Sequence, residues 1–365
     1  MEGITDRVLS LIEASGQSRR AFAQDIGLDD SKLSKSLGGA RRFSSLDLAR
    51  IADKCGVTVD WLVTGEEPAL AVAARTTSGE ARTAVEAAKR YAAMREDLAV
   101  FGWEQPWRPL DVEIPGGTYA EQGRALAAAA LTRVAEGGLP LTGASLPALV
   151  EKAFGADVAV VALDEGFDGL AASSDEAKLI VLGTSPVPAW QRFTLAHELG
   201  HLLAGDDQGV HLDKDIYDRT QAKDPSEMRA NGNGFASAFL MPADILRPAA
   251  GTADLAEDAF AALSCKLAVS PSALAIRLQQ LRLIDAGTCD RLKKITAAKA
   301  DRGEEFARRV ADASTARPPG LLVRDAYLAY ESGTTTLRPY ANLLGADVDE
   351  LRQALEAEEG APDAR

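Results

Sequence analysis

Apolar residues recur at helical spacing through the first part of the chain: Val8, Leu9 and Ile12, then Phe22, Ala23 and Ile26, then Leu33 and Leu37, then Leu48, Ile51 and Ala52, then Trp61 and Leu62. Gly16, Gly27, Gly38, Gly39 and Gly56 stand where these groups end, as helix C-caps require. The spacing predicts five short helices over residues 1–65 and no strand. Another helix is expected over 79–98, followed by a Trp-, Pro- and Gly-rich passage from Phe101 to Gly117 that reads as a linker packed on another surface. From residue 118 the pattern changes. An Ala-rich helix (Tyr119–Ala135) and a second helix (Leu146–Phe154) precede two strand-like runs, Asp157–Leu163 and Lys178–Leu182. Helices are expected again at Trp190–Ala204, Phe235–Leu240 and Ser270–Leu283. From Asp285 the chain is helical and charged, with amphipathic stretches at Leu321–Ser332 and Leu337–Leu355 and an acidic, Ala-rich tail.

The fold class that follows is multidomain. An all-α helix-turn-helix domain at 1–67 and a helical linker at 68–117 lead into an α+β domain at 118–285 and a helical C-terminal region at 286–365. The 365 residues, 46% hydrophobic and 26% charged, exclude a disordered chain or a fibre. Forty basic residues against 54 acidic ones leave a net charge of −14, so contact with nucleic acid requires a locally basic face. Cys55, Cys265 and Cys289 form no C-x-x-C pair, which fits a reducing compartment. No apolar run approaches the roughly 18–20 residues of a spanning helix, and Met1 to Arg7 lack the basic-then-apolar order of a signal peptide. A soluble, cytoplasmic protein with no membrane partner is expected.

The sharpest chemical signal is Phe193-Thr194-Leu195-Ala196-His197-Glu198-Leu199-Gly200-His201-Leu202-Leu203. At about 100° per residue, positions i and i+4 share a helix face, so both imidazoles can reach one ion while Glu198 faces the same cleft. Catalytic zinc takes three protein ligands and keeps one position open for water, whose proton Glu198 would accept and pass to a leaving amine. Spacing alone leaves two candidates for the third ligand. Asp207 follows His201 by six residues, and Glu227 lies on a later segment. His211 and Tyr217, between the two motifs, could donate to an oxyanion.

Arg192-Phe193-Thr194-Leu195-Ala196-His197-Glu198-Leu199-Gly200-His201, followed by Glu227, Ala230-Asn231 and Phe235-Ala236-Ser237-Ala238-Phe239-Leu240-Met241-Pro242, resembles the ImmA/IrrE family of bacterial metallopeptidases, which cleave helix-turn-helix repressors. The likeness covers roughly residues 118–285. It implies a zincin-like fold, Zn2+ held by His197, His201 and Glu227, Glu198 as catalytic base, and a helix-turn-helix repressor or partner as substrate. The family runs from Ala-Asn to the Phe-Ala block without the repeat seen here, where Gly232-Asn233-Gly234 looks like a two-residue duplication of Asn-Gly, and two extra residues turn a continuous helix by about 200°. This Gly-x-Gly follows no strand and lacks a third glycine, so it is not a nucleotide loop.

Residues 18–42 read as a helix, a turn at Gly27 and a second helix with a polar outer face, an arrangement that places its second helix in the major groove. The stretch resembles the repressor-type (XRE, Cro/C1) helix-turn-helix family over roughly residues 5–65. Lys32, Lys35, Arg41 and Arg42 lie in an acid-free run from Ser31 to Leu46, and Arg19 and Arg20 begin the preceding helix. These cations can neutralise phosphates, while Ser31, Ser34 and Lys35 can reach base edges. Asp29 or Asp30 can cap the second helix. The implied partners are duplex operator DNA and a second copy of the chain; the alternative is a helical domain that binds only protein. Ala341 to Leu351 resembles a helix, turn and helix without a basic face, suited to packing, oligomerisation or sensing. Together these features point to a transcriptional regulator with a zinc peptidase domain. The alternative is a non-proteolytic repressor or antitoxin that keeps the peptidase fold as a scaffold.

Overall fold

The computed structural model describes residues 3–55, 57, 62–63, 82–112, 118–142, 145–163, 168–174, 177–205, 210–212, 232–250, 256–295 and 304–359. They fall in two units, Met1–Gly79 and Glu80–Arg365.

In the first unit α1 (Ile4–Ala14), α2 (Arg19–Asp25), α3 (Asp30–Leu37) and α4 (Ser45–Cys55) enclose Val8, Phe22, Ala23, Leu33, Ile51 and Leu62. Local chemistry sets the helix starts. Ser18 Oγ accepts from the Ala21 N–H, and Asp29 Oδ1 accepts from the Ser31 N–H at 2.9 Å. Between α2 and α3 the chain turns at Gly27, whose φ is 62°, and the Leu28 N–H donates back to the Ala23 carbonyl at 2.8 Å. Buried Arg7 donates to the carbonyls of Leu62 and Val63, tying α1 to the far end of the unit. The expected fifth helix falls largely outside the described residues, Trp61 among them.

The second unit begins with α5 (Arg82–Val100), α6 (Tyr119–Glu136) and α7 (Leu146–Phe154). The Trp- and Pro-rich passage after α5 packs as expected. The Arg108 N–H donates to the Phe154 carbonyl, and Gly155 turns at φ 73° so tightly that a Cβ there would stand 1.8 Å from the Pro106 oxygen. Only glycine fits.

A sheet of four strands follows: β1 (Asp157–Val161), β2 (Gly169–Ser173), β3 (Lys178–Gly183) and β4 (Val210–Leu212), in the order β1-β3-β2-β4. β1 and β3 run parallel, with Ala159 opposite Val181; β2 is antiparallel to both β3 and β4. Val158, Val160, Ala171, Ile180 and Leu182 face the main core, so by the two-residue pleat Ala159, Leu170, Leu179 and Val181 face the opposite side, where α5 packs on β3. Both faces are therefore covered. β2 and β4 lie outside the two strand runs expected from the sequence. Gly169-Leu170-Ala171-Ala172-Ser173 has no β-branched or aromatic residue, and it is extended because it is buried and paired on both sides, which outweighs local propensity. The first run also ends earlier than expected, at Val161.

α8 (Pro188–Ala204) lies against β2 and β3, and α9 (Gly232–Leu240) packs against α6 and α8. The rest is helical: α10 (Ala243–Ala250), α11 (Glu257–Leu267), α12 (Pro271–Gln280), α13 (Ala286–Leu292), α14 (Glu304–Ser314), α15 (Gly320–Glu331), α16 (Arg338–Leu344) and α17 (Val348–Glu359). Gly345, at φ 65°, makes the turn between α16 and α17 that the sequence suggests. Cys289 and Leu292 of α13 belong to the main core. The later helices are bound to the sheet at β1. Arg317 and Val160 exchange backbone hydrogen bonds at 2.9 and 2.8 Å along the outer side of β1. Arg95 of α5, fully buried, forms ion pairs with Asp157 of β1 at 2.9 Å and Asp325 of α15 at 2.7 Å. Gln105 Nε2 and the Leu322 N–H also donate to Asp157. Burial outweighs the pull of Arg95 and, with the charges of Glu151 and Asp325 adding to it, leaves the Asp157 carboxyl pushed up to about 6. No single described helix is long and apolar enough to cross a membrane.

Candidate metal centre and helical surface

Pro188 opens α8 at a position where its missing N–H costs nothing, and Gly205, left-handed at φ 68°, closes it. The turn after His201 therefore comes at Gly205 and not at Ala204. Every residue from Thr194 to Leu203 is buried, which is how a polar His-Glu-x-x-His segment comes to lie inside a core. Glu198 is fully enclosed, and His197 and His201 nearly so.

The two imidazoles point their Nε2 atoms at each other across 3.1 Å, with ring centroids 4.8 Å apart. Two nitrogens bound to one tetrahedral zinc at about 2.0–2.1 Å stand about 3.3 Å apart, so the pair fits a shared ion. Gly200 allows this burial. A Cβ at that position would meet the Phe235 ring at 3.1 Å, and Phe235 in turn stacks on Phe239, so the bare backbone of α8 rests directly on the aromatic face of α9. Gly169 does the same from the sheet side, where a Cβ would stand 2.8 Å from Thr194 Cγ2.

Of the other candidates, Asp207, Tyr217 and Glu227 lie outside the described residues. His211 is placed by its backbone in β4, opposite Ala171. Among the described residues no group of three His, Cys, Asp or Glu side chains gathers around one point. Gly232, Asn233 and Gly234 form the first turn of α9, so the two extra residues precede the Phe-Ala block as regular helix. One feature escaped the sequence reading. Trp190, half exposed, borders a cavity of about 700 Å³ between α8, α9 and α12, with Phe193, Met241, Ile276 and Arg277 also on its wall and no carboxylate among the described residues that line it.

In the first unit Ser31, Lys32, Ser34 and Lys35 are exposed on α3, while Leu33 and Ser36 point inward. Arg19 at the start of α2 and Arg42 after α3 are exposed as well. Arg41 is engaged within the fold: it donates to Ser36 Oγ at 3.0 Å and pairs with the nearly buried Asp47 at 2.8 Å. Burial would raise the Asp47 carboxyl, but the hydrogen bonds from Ser44 and the contact with Arg41 outweigh it and hold the group below its ordinary range. The acid-free run thus ends one residue before the acid that draws Arg41 away.

Residues 156–279, from β1 to α12, match the family model of the IrrE N-terminal-like domain, Peptidase_M78. That third of the chain contains the whole of α8, and the matched domain is of metallopeptidase type. The first unit lies outside the match. No curated protein matches the chain.

Proposed function

We propose, taking the match over residues 156–279 as premise, that the chain is a cytoplasmic transcriptional regulator whose second unit is a zinc-dependent peptidase acting on a helix-turn-helix repressor or partner protein. The observation that carries the reading is the buried His197–His201 pair with Nε2 atoms 3.1 Å apart inside the matched segment. His197 and His201 would hold the ion, with Glu227 as the third ligand on the resemblance of its segment. Bound zinc would supply Lewis-acid activation of water for amide hydrolysis. Glu198, enclosed on the same turn, accepts the proton of the attacking water and delivers it to the departing nitrogen.

For the first unit, the exposed side chains of α3 support DNA binding as a dimer. Ser31, Ser34 and Lys35 are offered to base edges, with Arg19, Lys32 and Arg42 on phosphates. The net charge of −14 repels DNA at long range, but screening over about 8 Å lets the local cations act at contact. Since Arg41 is committed to Asp47, its contribution to phosphate contact is secondary.

Metal analysis of the purified chain, paired with cleavage of candidate helix-turn-helix proteins, tests the peptidase reading. One zinc per chain is expected, lost in His201→Ala and reduced in Glu227→Ala but not in Asp207→Ala. Glu198→Gln should keep zinc and lose cleavage. Full zinc loading in His201→Ala would sink the proposal, and zinc loading without any cleavage would favour the non-proteolytic repressor. Mobility shifts on the promoter of the chain's own gene test the DNA reading: Lys35→Ala should alter sequence preference, and Arg42→Ala should weaken all binding and lower the salt slope by about one.

A further inference from the structure

The cavity of about 700 Å³ that Trp190 borders combines apolar surface with positive charge. Phe193 of α8, Met241 at the end of α9 and Ile276 of α12 supply the apolar part, and Arg124 and Arg277 supply the charge. Neither His197, Glu198 nor His201 is on its wall, so it lies apart from the histidine pair.

Arg277 is the group that calls for a ligand. It is only 5% exposed, yet it has no counter-ion among the described residues. Its Nε donates to the Met241 carbonyl at 3.2 Å, which fixes the guanidinium against the end of α9. The two Nη nitrogens make no hydrogen bond or ion pair with any described residue, and they stay accessible, unlike the Arg192 Nε, which is sealed in the interior. A charged donor held largely out of water without a partner is costly, so one kept on a cavity wall marks a place that an anion completes. Burial first, and the charge of Arg124 second, lower the Arg277 guanidinium from its ordinary value. Arg124, exposed on α6, brings a second cation to the same wall. Glu121, the acid in its field, is held one turn earlier by the N–H and Oγ of Thr118 and does not line the cavity. The first turn of the ten-residue helix α12, with Ser270 and Ala273 on the wall, adds positive potential.

We propose that this cavity binds an organic molecule that carries one carboxylate on an aromatic or other apolar body. With Nε spent on Met241, the Nη pair is left as an end-on fork, whose spacing matches the two oxygens of a carboxylate. One fixed fork suits a single charge, and the apolar wall suits the body behind it. The volume lies within the range of small-molecule sites, about 300–1,000 Å³. A free aromatic acid and the last residue of a peptide present the same chemistry. The inference rests on Arg277 and its cavity, and is independent of metal binding or peptidase activity.

Titration of the full chain, followed by ligand-observed NMR, tests it with three probes: phenylpropionate, its neutral amide phenylpropionamide, and a short peptide ending in phenylalanine with a free carboxylate. Saturable one-to-one binding of an acid is expected, with the amide at least about tenfold weaker. Arg277→Gln should weaken acid binding at least about tenfold, and Arg308→Gln, exposed on α14 and outside this cavity wall, should leave it unchanged. Tighter binding of phenylpropionate assigns the site to a free small molecule, and tighter binding of the peptide assigns it to a chain terminus; either supports the proposal. Circular dichroism checks that Arg277→Gln folds, and the comparison of acid with amide, which needs no variant, decides the matter if it does not. The proposal is overturned by absence of saturable binding of both acids up to about 10 mM, by an amide that binds as tightly as the acid, or by undiminished binding to a folded Arg277→Gln chain.

Discussion

The two units deal with charge in opposite ways. The first keeps an apolar interior and puts its cations on the surface of α2 and α3; apart from Arg7 and Asp47, it buries no charged side chain among the described residues. The second encloses Arg95, Asp157 and Asp325 as an ion-paired triad, and buries His197, Glu198 and His201 as well. In the first unit most of the described charges stand on the surface, where removing one leaves the apolar interior intact. In the second a charge is part of the interior, where its partners are fixed and its loss is felt throughout.

The largest effect that this contrast predicts comes from Arg95→Leu. Asp157 would be left buried without its cation and Asp325 with Arg324 alone, and denaturant unfolding of the second unit should lose about 3–5 kcal/mol. A loss below about 1 kcal/mol would show that the triad is not a structural bond.

The pH dependence of the two units should have opposite sign. Asp157 is pushed up to about 6, so the native state binds the extra proton; its contribution is fully present below about 3.9 and fades as pH rises towards 6. Asp47 is held low, so its contribution is present above about 3.9 and fades as pH falls through the lowered value. Unfolding followed between pH 4 and 6 should lose that downward slope in Asp157→Asn, whatever its absolute stability, and keep it in Asp47→Asn (range set by the unperturbed and raised values, about 4 and about 6).

Gly200→Ala should cost about 1 kcal/mol, because crowding against Phe235 exceeds the gain in helix propensity, and zinc affinity should fall with it. Unchanged stability would mean that α9 shifts freely. The smallest effect belongs to the surface. Lys35→Ala should change stability by no more than about 0.5 kcal/mol while altering DNA preference.

What was legible in the sequence follows the range of the interactions. α1 to α4 and α8 could be read because helix periodicity, caps and the His-x-x-x-His spacing are local. β2 could not, since Gly-Leu-Ala-Ala-Ser becomes a strand only between two partners. The triad was invisible for the same reason: Arg95 stands 62 residues from Asp157 and 230 from Asp325. The pairing of Arg41 with Asp47 spans a shorter distance and was not legible either, because the acid sits just beyond the basic run. In the candidate metal centre the two histidines and the glutamate were readable from one helical turn, whereas a third ligand from a distant segment rests on resemblance alone.

The paired backbone of Arg317 and Val160 bears on how the protein behaves in bulk. β1 is an outer strand of the sheet, rich in valine, and an open strand of that kind is a template on which other chains can assemble. Arg317 occupies part of that template with main-chain hydrogen bonds, and its guanidinium adds a charge beside it. The segment leading into α15 therefore acts as a guard against aggregation, and a shortened chain ending before α14 should precipitate where the full chain stays dispersed.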